Sequence, residues 1–179
     1  MGLTESIKTY FCTIDLRRNT TGKREVRAIN LNDVRNFSVL FDFADEQQYN
    51  QILAKIDTLK TNHTVKAIGY TAISKVPHYV QQKLNFEVLC KKDVNWFGKP
   101  KKASVDAFYT AKTDVLINLS LYNYAVLDYI SKRSNALFKL GAFNEKNKEF
   151  LDLMINLSED QGVDVLMDEC LHYLQLINK

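Results

Sequence analysis

This sequence of 179 residues lacks the common motifs for nucleotide binding and hydrolysis. Its six glycines are too far apart for the G-x-G-x-x-G dinucleotide pattern, and no Walker A loop occurs. A G-x-S-x-G nucleophile elbow is missing as well. These absences exclude the best-known local signatures of phosphate binding and serine hydrolysis. A site assembled in space from distant residues stays open.

Patterns for metal binding and disulfides are missing too. The three cysteines, Cys12, Cys90 and Cys170, are isolated from one another, and no C-x-x-C pair occurs. Their odd number fits a reducing compartment, and their apolar neighbours favour buried thiols. The three histidines have no histidine partner at i, i+4. We therefore predict neither a metal nor a cofactor.

Long apolar runs are also absent. No stretch approaches the roughly 20 residues that span a bilayer, and the N-terminus lacks the basic start and apolar run of a signal peptide. The sequence therefore predicts a cytoplasmic protein. Its 46% hydrophobic and 25% charged residues are typical of a globular domain. A net charge of +3 is too small to indicate nucleic-acid binding.

Residues 1–36 differ from the rest because seven basic residues face four acids there. Helical spacing predicts a basic amphipathic helix, followed by a linker. This helix either packs one face on the domain or forms an arm that meets an acidic partner, such as a protein, RNA or a membrane surface. The apolar stripe consists of Leu3, Ile7, Tyr10, Phe11 and Ile14.

Residues 37–179 predict a single α/β domain. Apolar, β-branched strands alternate with helical periodicity, which indicates βαβ units and a mostly parallel sheet with helices on both faces. We therefore predict a three-layer fold, Rossmann-like or flavodoxin-like. The predicted strands cover 37–43, 65–73, 85–91, 114–120, 136–143 and 150–158, and the helices cover 45–60, 101–111, 124–133 and the C-terminal segment.

Three predicted strands share a polar penultimate residue. The segments "VLFDF", "VLINL" and "LMINL" place Asp42, Asn118 and Asn156 near the carboxyl ends of their strands. Open α/β sheets bind ligands at that edge, so Asp42 is a weak candidate for an acid, base or metal ligand. Asp and Asn also end strands simply because their side chains bond the turning backbone.

The stretch "NWFGKPKK" (95–102) puts lysines where a helix is predicted to start. If Pro100 is the first helical residue, Lys99 is the N-cap, and its charge opposes the helix dipole. A bound phosphate would resolve this conflict; otherwise the stretch is a solvated turn. The predicted ligand-binding residues are Lys99, Lys101, Lys102, Ser104 and Trp96.

Several segments carry a resemblance to a known family. "DVNWFGKPKKASVDAF", "TDVLINLSLYNYAVLDYIS", "ALFKLGAF" and "FLDLMINL" resemble a family of small uncharacterised bacterial proteins, annotated only as a domain of unknown function. That resemblance covers residues from Phe37 to the C-terminus and implies no activity.

A second resemblance concerns layout alone. The segment from Asp114 to Phe143 is similar to a strand–helix–strand in the N-terminal Rossmann-like domain of heptosyltransferase-type GT-B glycosyltransferases. Asn118 stands where that pattern has Asp, and the chain is too short for the second domain that binds the nucleotide sugar. The resemblance therefore implies the fold, while the activity would need a partner.

Two functions follow from the sequence. The preferred one is a non-catalytic binding or interaction module with a phosphate site at the lysine-rich stretch. The alternative is a small enzyme acting on a phosphorylated or sugar-nucleotide substrate at the strand ends. In the enzyme, Asp42 would be the acid/base, Asn118 and Asn156 would orient the substrate, and the lysines would hold the anion.

Overall fold

A computed structural model describes residues 3–19, 24–81, 83–122, 124–158 and 161–178. Within these ranges the chain forms six strands and five α-helices. The strands are β1 (Asn36–Asp42), β2 (Thr64–Thr71), β3 (Phe86–Cys90), β4 (Val115–Asn118), β5 (Phe138–Ala142) and β6 (Leu153–Ile155). The helices are α1 (Leu3–Asn19), α2 (Glu46–Leu59), α3 (Asp106–Thr110), α4 (Ala125–Arg133) and α5 (Val163–Leu176).

The strands form one parallel sheet in the order β3-β2-β1-β4-β5-β6. The chain builds outward from β1 to β3, crosses back, and builds outward again from β4 to β6. This order is the Rossmann one; a flavodoxin-like sheet would place β2 at its edge. The predicted three-layer α/β fold is therefore confirmed, and every strand pair is parallel.

Each face of the sheet has its own apolar core. Side chains alternate along a strand, so Val39 and Phe41 of β1 enter the core beneath α2 and α5, and Leu40 enters the core beneath α3 and α4. All four residues of β4 are buried. Burial on both faces explains why these strands are continuously apolar in sequence.

Helix α1 packs on the core of the domain mainly through a side other than its apolar stripe. Cys12 and Leu16 pack against the core beneath α4, on a different side of the helix from most of the stripe. The stripe residues that are exposed are Ile7, Tyr10 and Phe11. The expected amphipathic helix is present, yet much of its apolar side faces outward.

The segment between α1 and the sheet adds to the core of the domain. Ile29 and Val34 are buried in the core beneath α2 and α5. Arg24 forms an ion pair with Asp152, with 2.5 Å between Nη2 and Oδ1. The division of the chain into residues 1–36 and 37–179 stays a prediction.

A lysine lies in the interior of the sheet. Lys139 on β5 is only 2% exposed, and its Nζ donates a hydrogen bond to the carbonyl oxygen of Ser131 at 2.6 Å. Burial lowers the pKa of Lys139 to about 7; the charge of Arg24 lowers it further, and Asp152 opposes the shift. The fold therefore disfavours the charged form of this side chain.

The substitution Lys139→Met tests this cost. Below pH 7 the lysine is protonated in both states, so its burial penalty is fully present. Between pH 7 and about 10.4 the folded state binds fewer protons than the unfolded state, and the wild type gains stability. We expect the stability advantage of Lys139→Met to shrink by roughly 3–4 kcal/mol from pH 6 to pH 10. Urea denaturation at both pH values measures it.

The matched control is Lys66→Met, the same exchange at a half-buried lysine on β2. Its effect at the two pH values is the baseline against which that of Lys139→Met is compared. An equal effect of Lys139→Met at both pH values would contradict the lowered pKa.

Candidate functional site

The fold brings Asp42 and Asn118 together at the carboxyl edge of the sheet. They lie on neighbouring strands, β1 and β4, between which the strand order reverses. Leu40 pairs with Asn118 in the register, and Asp42 lies two residues further along β1. Both side chains therefore project from the same face of the sheet. This reversal is where open α/β sheets form a ligand crevice.

Ser120 connects these two residues. Its backbone N–H donates to Oδ1 of Asn118 at 3.1 Å, and its hydroxyl hydrogen-bonds with the Asp42 carboxyl group. The amide nitrogen of Asn118 donates to the hydroxyl of Ser131 on α4 at 3.3 Å. Both amide atoms of Asn118 are thus engaged inside the fold, and Oδ1 holds Ser120 in place at the start of the β4–α4 loop (119–122).

The Ser120 hydroxyl has one proton and two acceptors within reach. It donates a short hydrogen bond to the carbonyl oxygen of Tyr122 and also lies beside the Asp42 carboxyl group. A protonated Asp42 would satisfy both contacts, because it could donate to Ser120 while Ser120 donates to Tyr122. When Asp42 is ionised, a hydrogen bond that Ser120 donates to the carboxylate lowers the pKa of Asp42.

Asp42 is a buried acid at this edge with a raised pKa. The residue is 4% exposed, and its Oδ1 has no hydrogen-bond partner among the described residues. Burial raises the pKa of Asp42 to about 6, although hydrogen bonds from Ser120 and from its own backbone act in the opposite direction. An acid with these properties is a candidate for a functional group rather than a structural one.

Three tyrosines surround this end of β1. Tyr70 on β2 is the register partner of Asp42, and its ring centroid lies 4.9 Å from that of Tyr124. Tyr124 in turn lies 6.1 Å from Tyr122, which is largely exposed. Burial and the nearby charge of Asp42 raise the pKa of Tyr124. The crevice therefore combines a buried acid with a row of aromatic rings.

Asn156 lies apart from this pair. It follows β6 directly and is exposed. Two strand spacings, roughly 10 Å, separate β6 from β4. Of the three polar residues predicted at strand ends, Asp42 and Asn118 are therefore neighbours and Asn156 is not. Sequence reasoning missed Ser120, although "N-L-S" places it two residues beyond Asn118 and therefore on the same face.

The lysine-rich stretch forms a turn, so the expectation that Pro100 opens a helix is wrong. Oδ1 of Asn95 accepts hydrogen bonds from the backbone N–H groups of Phe97 at 3.1 Å and Lys99 at 2.8 Å. Gly98 has a φ of +97°, which favours glycine. A 3-10 helix over Ala103–Val105 precedes α3, which begins at Asp106. The side chain of Asn95 thus competes successfully with helix initiation.

The three lysines of this turn already have partners in the protein. Ser104 lies exposed on the 3-10 helix, and Trp96 is 54% exposed. The contacts are Lys99 with Asp15 (2.8 Å), Lys102 with Glu87 (2.9 Å) and Asp93 (3.4 Å), and Lys101 with the carbonyl oxygen of Lys92 (3.0 Å). These contacts account for the lysines without an anion, and the anion site stays a prediction.

A small cavity of about 120 Å³ lies beside the crevice, between α2 and α5. Gln48, Leu119 and Gly162 contribute to its lining. Over the described ranges, no group of three or more His, Cys, Asp or Glu side chains could hold a metal ion. The helices described here include none that is long and apolar enough to cross a bilayer.

The parallel sheet and its strand order define the class as an α/β protein with Rossmann topology. The chain belongs to a family of unknown function (DUF6913), whose family model matches residues 8–177. Neither the curated proteins nor the solved structures contain a match to this chain. Since a fold does not define a function, the function must be argued from the crevice itself.

The substitution Asp42→Asn tests the burial of the acid. The folded-state pKa of about 6 lies above the unfolded value of about 3.9, so Asp42 destabilises the fold above pH 6 and much less at pH 4. We expect Asp42→Asn to raise the free energy of unfolding by about 2–3 kcal/mol at pH 7. Urea denaturation at pH 7 and pH 4 measures the difference.

Asp45→Asn is the control for that experiment, because Asp45 is exposed at the same edge and Asn also caps helices well. Its effect should be small at both pH values. A loss of stability for Asp42→Asn at pH 7 would contradict the raised pKa.

The turn at Gly98 permits a separate test. A Cβ added to Gly98 would lie 2.8 Å from the Cβ of Ala125, at a φ that side chains rarely adopt. We expect Gly98→Ala to lower the free energy of unfolding by about 1–3 kcal/mol, measured by urea denaturation. Gly162→Ala is the control, since its new Cβ would meet only the flexible carboxylate of Asp164. Equal effects of the two variants would contradict the strained turn.

Proposed function

We propose that this protein is a non-catalytic binding module that holds a small polar ligand in the crevice between the carboxyl ends of β1 and β4. The observation that carries this proposal is that Oδ1 of the buried Asp42 has no hydrogen-bond partner in the described part of the chain. A buried acceptor without a donor costs free energy, so native proteins rarely retain one without a use. A ligand that donates a hydrogen bond would remove this cost.

The surroundings of Asp42 suggest the chemistry of the ligand. An O–H or N–H group would suit the carboxyl oxygen, and the rings of Tyr70, Tyr122 and Tyr124 would suit the flat face of a sugar or base. Sugars and nucleosides combine both features. Because Asp42 is almost fully buried, we expect the ligand to displace part of the β4–α4 loop.

The predicted phosphate site is compatible with this ligand class. The lysine-rich stretch follows β3, and Gly98 packs against Ala125 at the start of α4, so the stretch lies at the same edge of the sheet as Asp42. A phosphate group on the ligand would have to displace Asp15 or Glu87 from Lys99 or Lys102. The crevice at Asp42 is therefore the stronger of the two proposals.

One observation favours the alternative of a small enzyme. A carboxyl group with a pKa near 6 is suited to general acid–base catalysis at neutral pH. Asp42 would then transfer protons on a phosphorylated or sugar-nucleotide substrate. Asn118 would act only by positioning the β4–α4 loop, since its amide is already engaged.

Calorimetric titration with sugars, nucleosides, nucleotides, nucleotide sugars and inorganic phosphate tests the proposal. We expect a sugar or nucleoside to bind the wild type and Asp45→Asn equally, and Asp42→Asn about tenfold more weakly, because a charge-assisted acceptor is lost. The variant Lys99→Ala/Lys101→Ala/Lys102→Ala should lose only the preference for phosphorylated ligands.

Other outcomes would overturn the proposal. If a ligand bound Asp42→Asn and the wild type equally, Asp42 would not be part of the binding site. If no compound in the panel bound, the proposed site itself would be rejected. Binding of inorganic phosphate alone, lost in the lysine variant, would favour the anion site. New products, detected by mass spectrometry in wild type but not in Asp42→Asn, would favour the enzyme.

A further inference from the structure

An apolar surface lies exposed where α1 meets the turn of residues 95–99. It consists of Ile7, Tyr10, Phe11 and Trp96, which are 42%, 63%, 46% and 54% exposed. The rings of Phe11 and Trp96 are 5.3 Å apart, and those of Tyr10 and Phe11 are 5.7 Å apart. We call these four residues the α1 surface. A contiguous exposed apolar surface of this kind marks a site of interaction.

The fold holds the α1 surface facing outward. On another side of α1, Asp15 accepts hydrogen bonds from Nζ of Lys99 at 2.8 Å and from the hydroxyl of Tyr129. Cys12 and Leu16 pack against the core beneath α4. These contacts fix the rotation of the helix, so its exposed side chains are presented on a preformed support.

The charges around the α1 surface are mainly positive. The acids described in α1 and residues 91–102 are both engaged: Asp15 with Lys99, and Asp93 with Lys102. The cations in these segments that are exposed are Lys8, Arg17, Arg18, Lys91, Lys92 and Lys101. This charge distribution complements a negatively charged partner.

The ring geometry distinguishes among negatively charged partners. Tyr10 and Phe11 meet at 83°, and Phe11 and Trp96 meet at 68°. Proteins that bind single-stranded nucleic acid use ring faces as platforms for stacked bases, whereas these rings pack edge to face among themselves. A second copy of this chain, related by a two-fold axis, would bring equivalent cations close together. Neither partner matches the surface as well as a lipid membrane does.

We propose that the α1 surface docks onto an anionic lipid bilayer, with α1 lying in the plane of the interface. Trp and Tyr side chains favour the boundary between headgroups and acyl chains, where Ile7 and Phe11 would enter the apolar layer. Arg17, Arg18 and Lys8 would contact the phosphates. This inference does not depend on the ligand crevice.

Trp96 is the only tryptophan of the chain and therefore reports directly on docking. We expect its emission to shift to shorter wavelength with vesicles of phosphatidylcholine and phosphatidylglycerol, but not with phosphatidylcholine alone. Brominated acyl chains should quench it. The shift should weaken as salt is added, because the cations are screened.

Two pairs of variants separate the α1 surface from other exposed residues. We expect Ile7→Ser/Tyr10→Ser to weaken vesicle binding about tenfold or more, since two apolar groups no longer leave water. The control Tyr173→Ser/Leu176→Ser removes a similar exposed pair from α5 and should bind like the wild type. Arg17→Gln/Arg18→Gln should also bind about tenfold more weakly, unlike the exposed control pair Lys146→Gln/Lys148→Gln.

Several results would overturn the proposal. One is no shift of Trp96 emission with anionic vesicles; another is an equal loss of binding in the α5 control. A dimer seen by light scattering, lost in Ile7→Ser/Tyr10→Ser without any vesicle binding, would assign the surface to a second copy. An emission shift with single-stranded RNA but not with vesicles would assign it to nucleic acid.

Discussion

The pairing of β1 with both β2 and β4 is the constraint on which the rest of the structure depends. Strand β2 pairs with the whole length of β1 and β4 pairs with Phe37 to Leu40, so β1 lies inside the sheet with its apolar side chains buried on both faces. Because the two halves of the chain build outward from it, the strand order reverses beside β1. The crevice, and the burial of Asp42 next to it, follow from this one placement.

Burial on both faces also sets the cost of any ionisable group in the sheet. Burial of the charged form destabilises the fold at both Asp42 and Lys139, but in opposite pH ranges. The acid is destabilising above its pKa of about 6, and the lysine is destabilising below its pKa of about 7. Between pH 6 and pH 7 both costs are close to their full value. A polar path through Ser120, Asn118 and Ser131 lies between the two groups on the face that α4 covers. Asp42 and Lys139, which destabilise the fold when they are charged, therefore lie at the two ends of one series of polar contacts.

Helix α1 shows that tertiary contacts decide which side of an amphipathic helix is buried. Its apolar periodicity is compatible with packing on a core, yet Asp15 directs the helix by bonding Lys99 and Tyr129. The same ion pair gives Lys99 a partner within the protein, which an anion would have to displace. One contact between residues 84 positions apart therefore bears on two predicted features.

The sequence by itself determined the α/β class, the parallel sheet, the positions of the main elements and the polar ends of β1 and β4. Those features depend on local periodicity and on burial of both strand faces. Both can be recognised from patterns among residues that are close in sequence. Only the tertiary structure decided the Rossmann order, the link through Ser120, the turn at Asn95 and the outward face of α1. Each of these depends on which distant groups meet. No pattern of neighbouring residues predicts that the lysines contact Asp15 and Glu87. Nor does one predict that Oδ1 of Asp42 is buried with no partner among the residues that the structure describes.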